Sequence, residues 1–189
     1  MKRFLSLVTV ILFTFTSCSS DDGGIGPQGP QGPPGEPGED GLIGTVFELP
    51  PSDFTAENDY TLFAEFEDHT SEEVFESDVV LVYLRVGEDG TADGEPVYIW
   101  RLLPQTYYID GGTVQYNYDY TFFDVNIFLD SNVSLGSLGA AFTEDQVFRV
   151  ALVPAAFASN PNVNVSDFNS VMKALEIQES DIPKVENLQ

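Results

Sequence analysis

Residues 79–86 read VVLVYLRV. Seven of these eight residues are apolar or aromatic and four are valine, with one arginine near the end. The run is too short for a buried helix and too continuous for a strand with one wet face. It reads as a central β-strand covered on both sides, because only such a strand needs apolar side chains at odd and even positions alike. Outward from it, residues 45–49 (TVFEL) form a short strand closed by Pro50-Pro51. Residues 60–66 place Tyr60, Leu62, Ala64 and Phe66 on one face by strict alternation. Downstream, residues 87–96 (GEDGTADGEP) read as a loop, residues 97–103 (VYIWRLL) as a strand, and 106–109 as another. Asp110-Gly111-Gly112 then supplies the turn chemistry of a tight hairpin into a strand over 113–120. Strands over 125–129 and 147–154 complete the set. Short strands with no helices between them predict an all-β fold, an antiparallel β-sandwich. One short helix is expected near the C-terminus, capped by Ser166 or Asp167, with Phe168, Val171, Met172 and Leu175 on one stripe. That stripe is expected to cover an edge or open end of the sandwich, and the polar residues after Ile177 are expected to fray.

The chain has 189 residues, 31 of them acidic and only 7 basic, for a formal charge of −24. With 42% hydrophobic and 13% aromatic residues it is too apolar to be wholly disordered. Nucleic acid is excluded as a partner class, since a polyanion needs Lys and Arg to neutralise its phosphates. A single cysteine leaves no internal disulfide and no multi-cysteine metal centre.

That cysteine falls at a telling place. Lys2 and Arg3 precede an apolar run over residues 4–15, which is short of the roughly 20 residues that span a bilayer but right for a secretory signal. The run ends Phe15-Thr16-Ser17-Cys18, which resembles a bacterial lipoprotein box, with Phe15 where leucine is usual. The resemblance implies cleavage after residue 17 and lipidation of Cys18, so residues 1–17 are expected to be a signal peptide and residues 18–22 a lipidated acidic tether. Several acyl chains on one residue anchor firmly, at about 0.8 kcal/mol per buried methylene. The next residues, Ser19-Ser20-Asp21-Asp22, resemble an export tag for the outer face of the outer membrane, or serve merely as a solvated linker. The expected location is the outer membrane, exposed at the cell surface. Cleavage leaves Arg85, Arg101, Arg149, Lys173 and Lys184 as the only basic side chains.

From Gly23 to Gly44 every third residue is glycine, eight times without a miss, with Pro27, Pro30, Pro33, Pro34 and Pro37 between. This is a collagen-like Gly-X-Y tract, the spacing required when three polyproline II chains meet on one axis. Two readings stay open. A single chain would be a semi-rigid spacer of about 65 Å, at about 3.1 Å per residue. Three chains would form a homotrimeric stalk. Against a free-standing trimer, the tract is short, Glu36, Glu39 and Asp40 would be gathered threefold with no lysine between them, and its last triplets lack proline. Residues 45–189 are then one head domain, large enough to bury about two-thirds of its unfolded surface.

The Gly-X-Y tract running through GEDGLIGTVFE, followed by VFESDVVLVY, WRLLPQT, YNYDYTFFDVNIFLD and DQVFRVALVPAAFA, resembles a family of small uncharacterised bacterial lipoproteins with collagen-like stalks. The resemblance spans the mature chain and implies the anchor, the stalk and a C-terminal β domain. It implies no activity, substrate or catalytic residue.

Few patterns along the chain point to chemistry. His69 is the only histidine, in the acidic stretch EFEDHTSEE, and Ser71 two residues on gives no triad geometry; it is expected to be an exposed loop residue. No GxGxxG follows a strand and opens a helix. Paired carboxylates able to hydrolyse glycosides are inevitable among 31 acids and single out none. A weak calcium candidate is Asp89, Asp93 and Glu95 in the acidic hairpin, since hard cations gather carboxylate and carbonyl oxygens; no other cofactor is expected. Arg85, Arg101 and Arg149 lie in expected strands and are read as pairing with acids at the sheet surface. Tyr98, Trp100 and Arg101 form a candidate binding patch, the aromatics being able to pack inward or to stack on a ligand. The expectation is a non-enzymatic, lipid-anchored surface protein whose acidic head binds a protein or glycan, with a homotrimeric structural element as the alternative.

Overall fold

The computed structural model describes residues 44–92, 94–186 and 188. The expected signal peptide, Cys18, the acidic tether and all of the glycine tract except Gly44 lie outside the described residues. The strands are β1 (Thr45–Glu48), β2 (Thr61–Glu65), β3 (Val79–Ala92), β4 (Glu95–Leu102), β5 (Gln105–Ile109), β6 (Gly112–Tyr120), β7 (Asp124–Ser131) and β8 (Phe148–Val153). They form two antiparallel four-stranded sheets, ordered β1-β8-β3-β4 and β2-β7-β6-β5. The expected all-β sandwich is the observed fold.

Between the sheets lies the main core. Phe47, Val80, Val82, Leu84, Phe148 and Val150 of one sheet meet Leu62, Val114, Tyr116, Val125 and Ile127 of the other. Phe54 and Phe148 both set their rings edge-on against Tyr116, with centroids 5.8 and 6.0 Å apart. Each fully buried side chain of this size contributes about 1.5–3 kcal/mol. Gly111 takes φ +83 in the turn between β5 and β6, a conformation that glycine adopts without steric cost.

A second apolar layer forms on the other side of the first sheet. Val46, Leu81, Tyr83, Ala151 and Val153 point away from the main core and are buried under Phe168, Val171, Met172 and Ile182. Helix turns α1 (Ala140–Thr143) and α2 (Ala155–Ala158) are single turns, whereas α3 (Phe168–Ala174) is the lid of this layer. The Asp167 side chain caps it by accepting from the Asn169 amide at 3.2 Å. So the helix covers a sheet face, not the edge or open end that the sequence suggested. This is why β3 and β8 are apolar at consecutive positions: each has a core on both sides.

The segment after Ile177 is also ordered, contrary to expectation. Ile182 is buried, the Glu48 amide donates to the Pro183 carbonyl at 2.9 Å, and the Val185 amide donates to the Glu48 carbonyl at 2.9 Å. The segment thus lies along the free edge of β1 and satisfies backbone groups that would otherwise face water or another chain. Gly44, at the head of β1, is buried, and a Cβ there would press against the end of the Leu175 side chain.

Candidate functional site

One end of the sandwich carries a cleft of about 680 Å³. Its walls come from the end of β2, the segment up to Val74 that includes the 3-10 turn Phe66–Asp68, and the β6–β7 connection. In that connection Thr121, Phe122 and Phe123 link two alternating strands. The Thr121 amide donates to the Asp124 carbonyl at 3.0 Å, and its hydroxyl bonds Asp124 Oδ1 at 3.0 Å. The Phe123 amide donates to the Thr121 hydroxyl at 3.1 Å, while its carbonyl accepts from the Phe66 amide at 2.7 Å. The backbone is therefore pinned on both sides, and the two phenyl rings are held outward with centroids 3.8 Å apart. Phe123 is 62% exposed although its backbone is fully engaged. Phe122 and Phe123 together form a small exposed aromatic patch on a turn held by hydrogen bonds.

Charge at the cleft has one sign. Glu65, Glu67, Glu72, Glu73 and Asp124 line it, and no Lys or Arg does. Among the described residues both ion pairs belong to Arg149, which lies on the other sheet, so these carboxylates have no cationic partner there. No group of three His, Cys, Asp or Glu side chains able to hold a metal ion occurs among the described residues. The cleft carboxylates are thus spread along a wall and not gathered on a point.

His69 borders this end, but it is not the exposed loop residue expected. It is half-buried, with its ring 4.8 Å from that of Phe47, and burial lowers its pKa from the ordinary 6.5 against the opposing charge of Asp68.

The residues singled out from the sequence fall elsewhere. Residues 87–96 are not a loop: β3 runs on to Ala92 and pairs with β4 up to Ala92–Glu95, with register shifts at Arg85/Gly87 and Glu88/Thr91. Asp89 and Glu95 are exposed on this hairpin, and Asp93 lies outside the described residues. On β4, alternation puts Tyr98 and Trp100 on the helix-covered side and Arg101 on the opposite side. The three therefore share no surface. Arg85 lies over the Tyr98 ring at 4.7 Å. Trp100 is half-buried beneath Arg149, 4.1 Å from its ring centroid, with Phe168 5.8 Å away.

Arg149 is the largest departure from the sequence reading, being 0% exposed and not at a sheet surface. Its Nε and Nη2 donate to Glu48 Oε2 at 2.9 and 2.8 Å, in register across β1 and β8. Nη1 donates to Glu179 Oε2 at 2.7 Å, and Nη2 also bonds Glu179 Oε1. Four of its five N–H groups are engaged by the two carboxylates, and the rings of Trp100 and Phe168 lie 4.1 and 5.1 Å from its central carbon. Its arrangement does structural work: it ties β1, β8 and the 179–185 segment into one unit.

The cleft is built from none of the charged hairpin residues and not from the tryptophan. Its signal was nonetheless present in TFFD, where two adjacent phenylalanines occupy a turn that should be polar.

Comparison with protein-family models, with curated proteins and with solved structures returned no match. The fold and the site stand on their own geometry.

Proposed function

We propose that the chain is a lipid-anchored outer-membrane surface protein without catalytic activity, carrying its acidic β-sandwich head on a Gly-X-Y spacer and binding a protein or glycan partner through that head. The observation that carries the anchoring is Cys18, the only cysteine, directly after Phe15-Thr16-Ser17 and directly before an acidic cluster and the glycine run. Binding by the head is supported by the cleft, whose paired phenyl rings are held in water by a pinned turn. Its high negative charge keeps neighbouring heads apart and turns away polyanions.

Metabolic labelling with an alkyne fatty acid tests the anchor. The wild-type chain takes the label and stays with the membrane; Cys18→Ser loses the label and appears in the soluble fraction. A free thiol at Cys18, or an uncut leader in the mass spectrum, overturns the anchor.

The homotrimer remains the second reading, favoured by the unbroken period of eight glycines. Gly44 weakens its last step, because its place against Leu175 and the Leu152 carbonyl within one chain gives a second reason for a small residue there. Sedimentation of the full chain in detergent decides: a single-chain mass without collagen-type circular dichroism removes the trimer.

A further inference from the structure

Which partner the cleft takes can be narrowed from its chemistry, on the reading that the head is a binding unit. We propose that the cleft between the Phe122–Phe123 turn and residues 65–74 docks a basic segment of a partner protein, with Lys or Arg side chains lying against the phenyl rings and among the carboxylates.

Three observations converge. The first is the apolar wall. Phe122 and Phe123 line the cleft and are exposed. Their presentation is prepaid by the Thr121–Asp124 hydrogen bonds and the bond from the Phe66 amide to the Phe123 carbonyl, so little order is lost when a partner arrives. The second is sign. Five acidic residues share the lining with these rings and no basic residue does, and the sequence holds no Lys or Arg between Arg3 and Arg85. A cationic side chain answers both features at once, since its charge meets the carboxylates and its face or stem meets an aromatic ring. The third is spread. No three acids among the described residues converge to hold an ion, so the charge is matched by several cations carried on a chain, not by one divalent ion. A neutral glycan would stack on the rings but leave the carboxylates without a counter-charge, and an anionic one would be repelled.

The test uses the full chain in detergent and a fluorescent nonapeptide of three Arg-Leu-Ser repeats, with the Glu-Leu-Ser peptide as charge-reversed control. Saturable binding of the first that weakens steeply with added salt is expected, with none of the second. Phe122→Ser/Phe123→Ser should weaken binding tenfold or more, and Glu72→Gln/Glu73→Gln several-fold. Glu57→Gln/Asp110→Asn, which removes two exposed acids at the other end of the sandwich, should change nothing. Equal weakening by that last pair would mean unspecific attraction to an acidic protein and overturns the proposal. So does failure of the wild-type chain to bind the basic peptide. Displacement of the peptide by a neutral oligosaccharide, lost with the two phenylalanines, would overturn the cationic partner while upholding the head as a binding unit. Absence of both ligands from the cleft would remove the binding reading itself and leave the lipid anchor untouched.

Discussion

The two sheets share a core but treat their outward faces in opposite ways. On the β1-β8-β3-β4 sheet the outward residues Val46, Leu81, Tyr83, Ala151 and Val153 are roofed by α3 and Ile182. On the β2-β7-β6-β5 sheet the outward residues alternate with the core set. Gln115, Asn117 and Asp119 interleave Val114, Tyr116 and Tyr118 on β6, and Asn126 and Asp130 flank Phe128 between Val125, Ile127 and Leu129 on β7. Among the described residues nothing roofs that face. Sequence period reports the number of wet sides: a period of two marks one wet face, and its loss in β3 and β8 marks none. The charged intruder under the roof, Arg149, is tolerated because it pairs with the buried Glu48 and with Glu179 and has the rings of Trp100 and Phe168 close by.

Disrupting that intruder should give the largest effect. Arg149→Met leaves the Glu48 carboxylate, only 8% exposed, without its cation, and should cost about 3–5 kcal/mol of unfolding free energy in denaturant titrations. Arg149→Met combined with Glu48→Leu should recover most of the loss, since a buried pair replaced by apolar groups is close to neutral. Glu179→Gln should cost less than about 1 kcal/mol, because its side chain is 64% exposed. If the single and double variants are equally unstable, the guanidinium is holding the roof by packing on Trp100 and Phe168 and not by charge.

A matched pair of substitutions sharpens the contrast between faces. Ala151→Asn puts an amide under the roof and should cost about 1–3 kcal/mol through an unsatisfied buried group. Asn117→Ala on the bare face should stay within about 0.5 kcal/mol. Similar losses at the two positions would mean that the second sheet is also covered in solution.

Alkali should loosen both sides of the first sheet. Tyr83 donates its hydroxyl to the Val165 carbonyl at 2.6 Å under the roof, and Tyr116 donates to the Phe142 carbonyl at 2.7 Å beside the main core. Burial, with a smaller contribution from neighbouring ionisable groups, pushes both phenols well above the ordinary 10.0. The folded state therefore holds protons that the unfolded chain releases. Stability should be full below about pH 10 and fall as the pH rises beyond it. Tyr116→Phe should flatten part of that fall in denaturation midpoints taken between pH 9 and 11.

The smallest effect belongs to His69. Its lowered pKa means that the unfolded chain takes up the proton first, so stability is present above pH 6.5 and declines as the pH drops below it. A variant with His69→Gln should show a slightly flatter melting temperature between pH 7 and 5.

Most of the strand framework was legible, because alternation such as Leu62, Ala64 and Phe66 needs no tertiary knowledge to place a face. So was α3, since its cap and stripe are local. What escaped depended on contacts distant in sequence. Residues 87–92 are rich in Gly, Glu and Asp and read as loop, yet the β4 partner draws them into a hairpin despite their propensity. Arg149 reads as a surface residue by type, and its burial follows from Glu48, 101 positions away. The order of residues 179–185 follows likewise from a free edge on β1 that no local pattern announces. The cleft lay between: TFFD was visible, but its partner wall across β2 was not.

Gly44 has a mechanical consequence. It is wedged between Leu175 and the Leu152 carbonyl, and the strand that follows sends Val46 into one core and Phe47 into the other. Tension applied to the chain ahead of Gly44 is therefore delivered to β1, whose backbone is gripped by β8 on one flank and by residues 183–185 on the other. Such a grip bears load across several hydrogen bonds together, so a tug from that direction meets a strand held on both flanks before it reaches any loop.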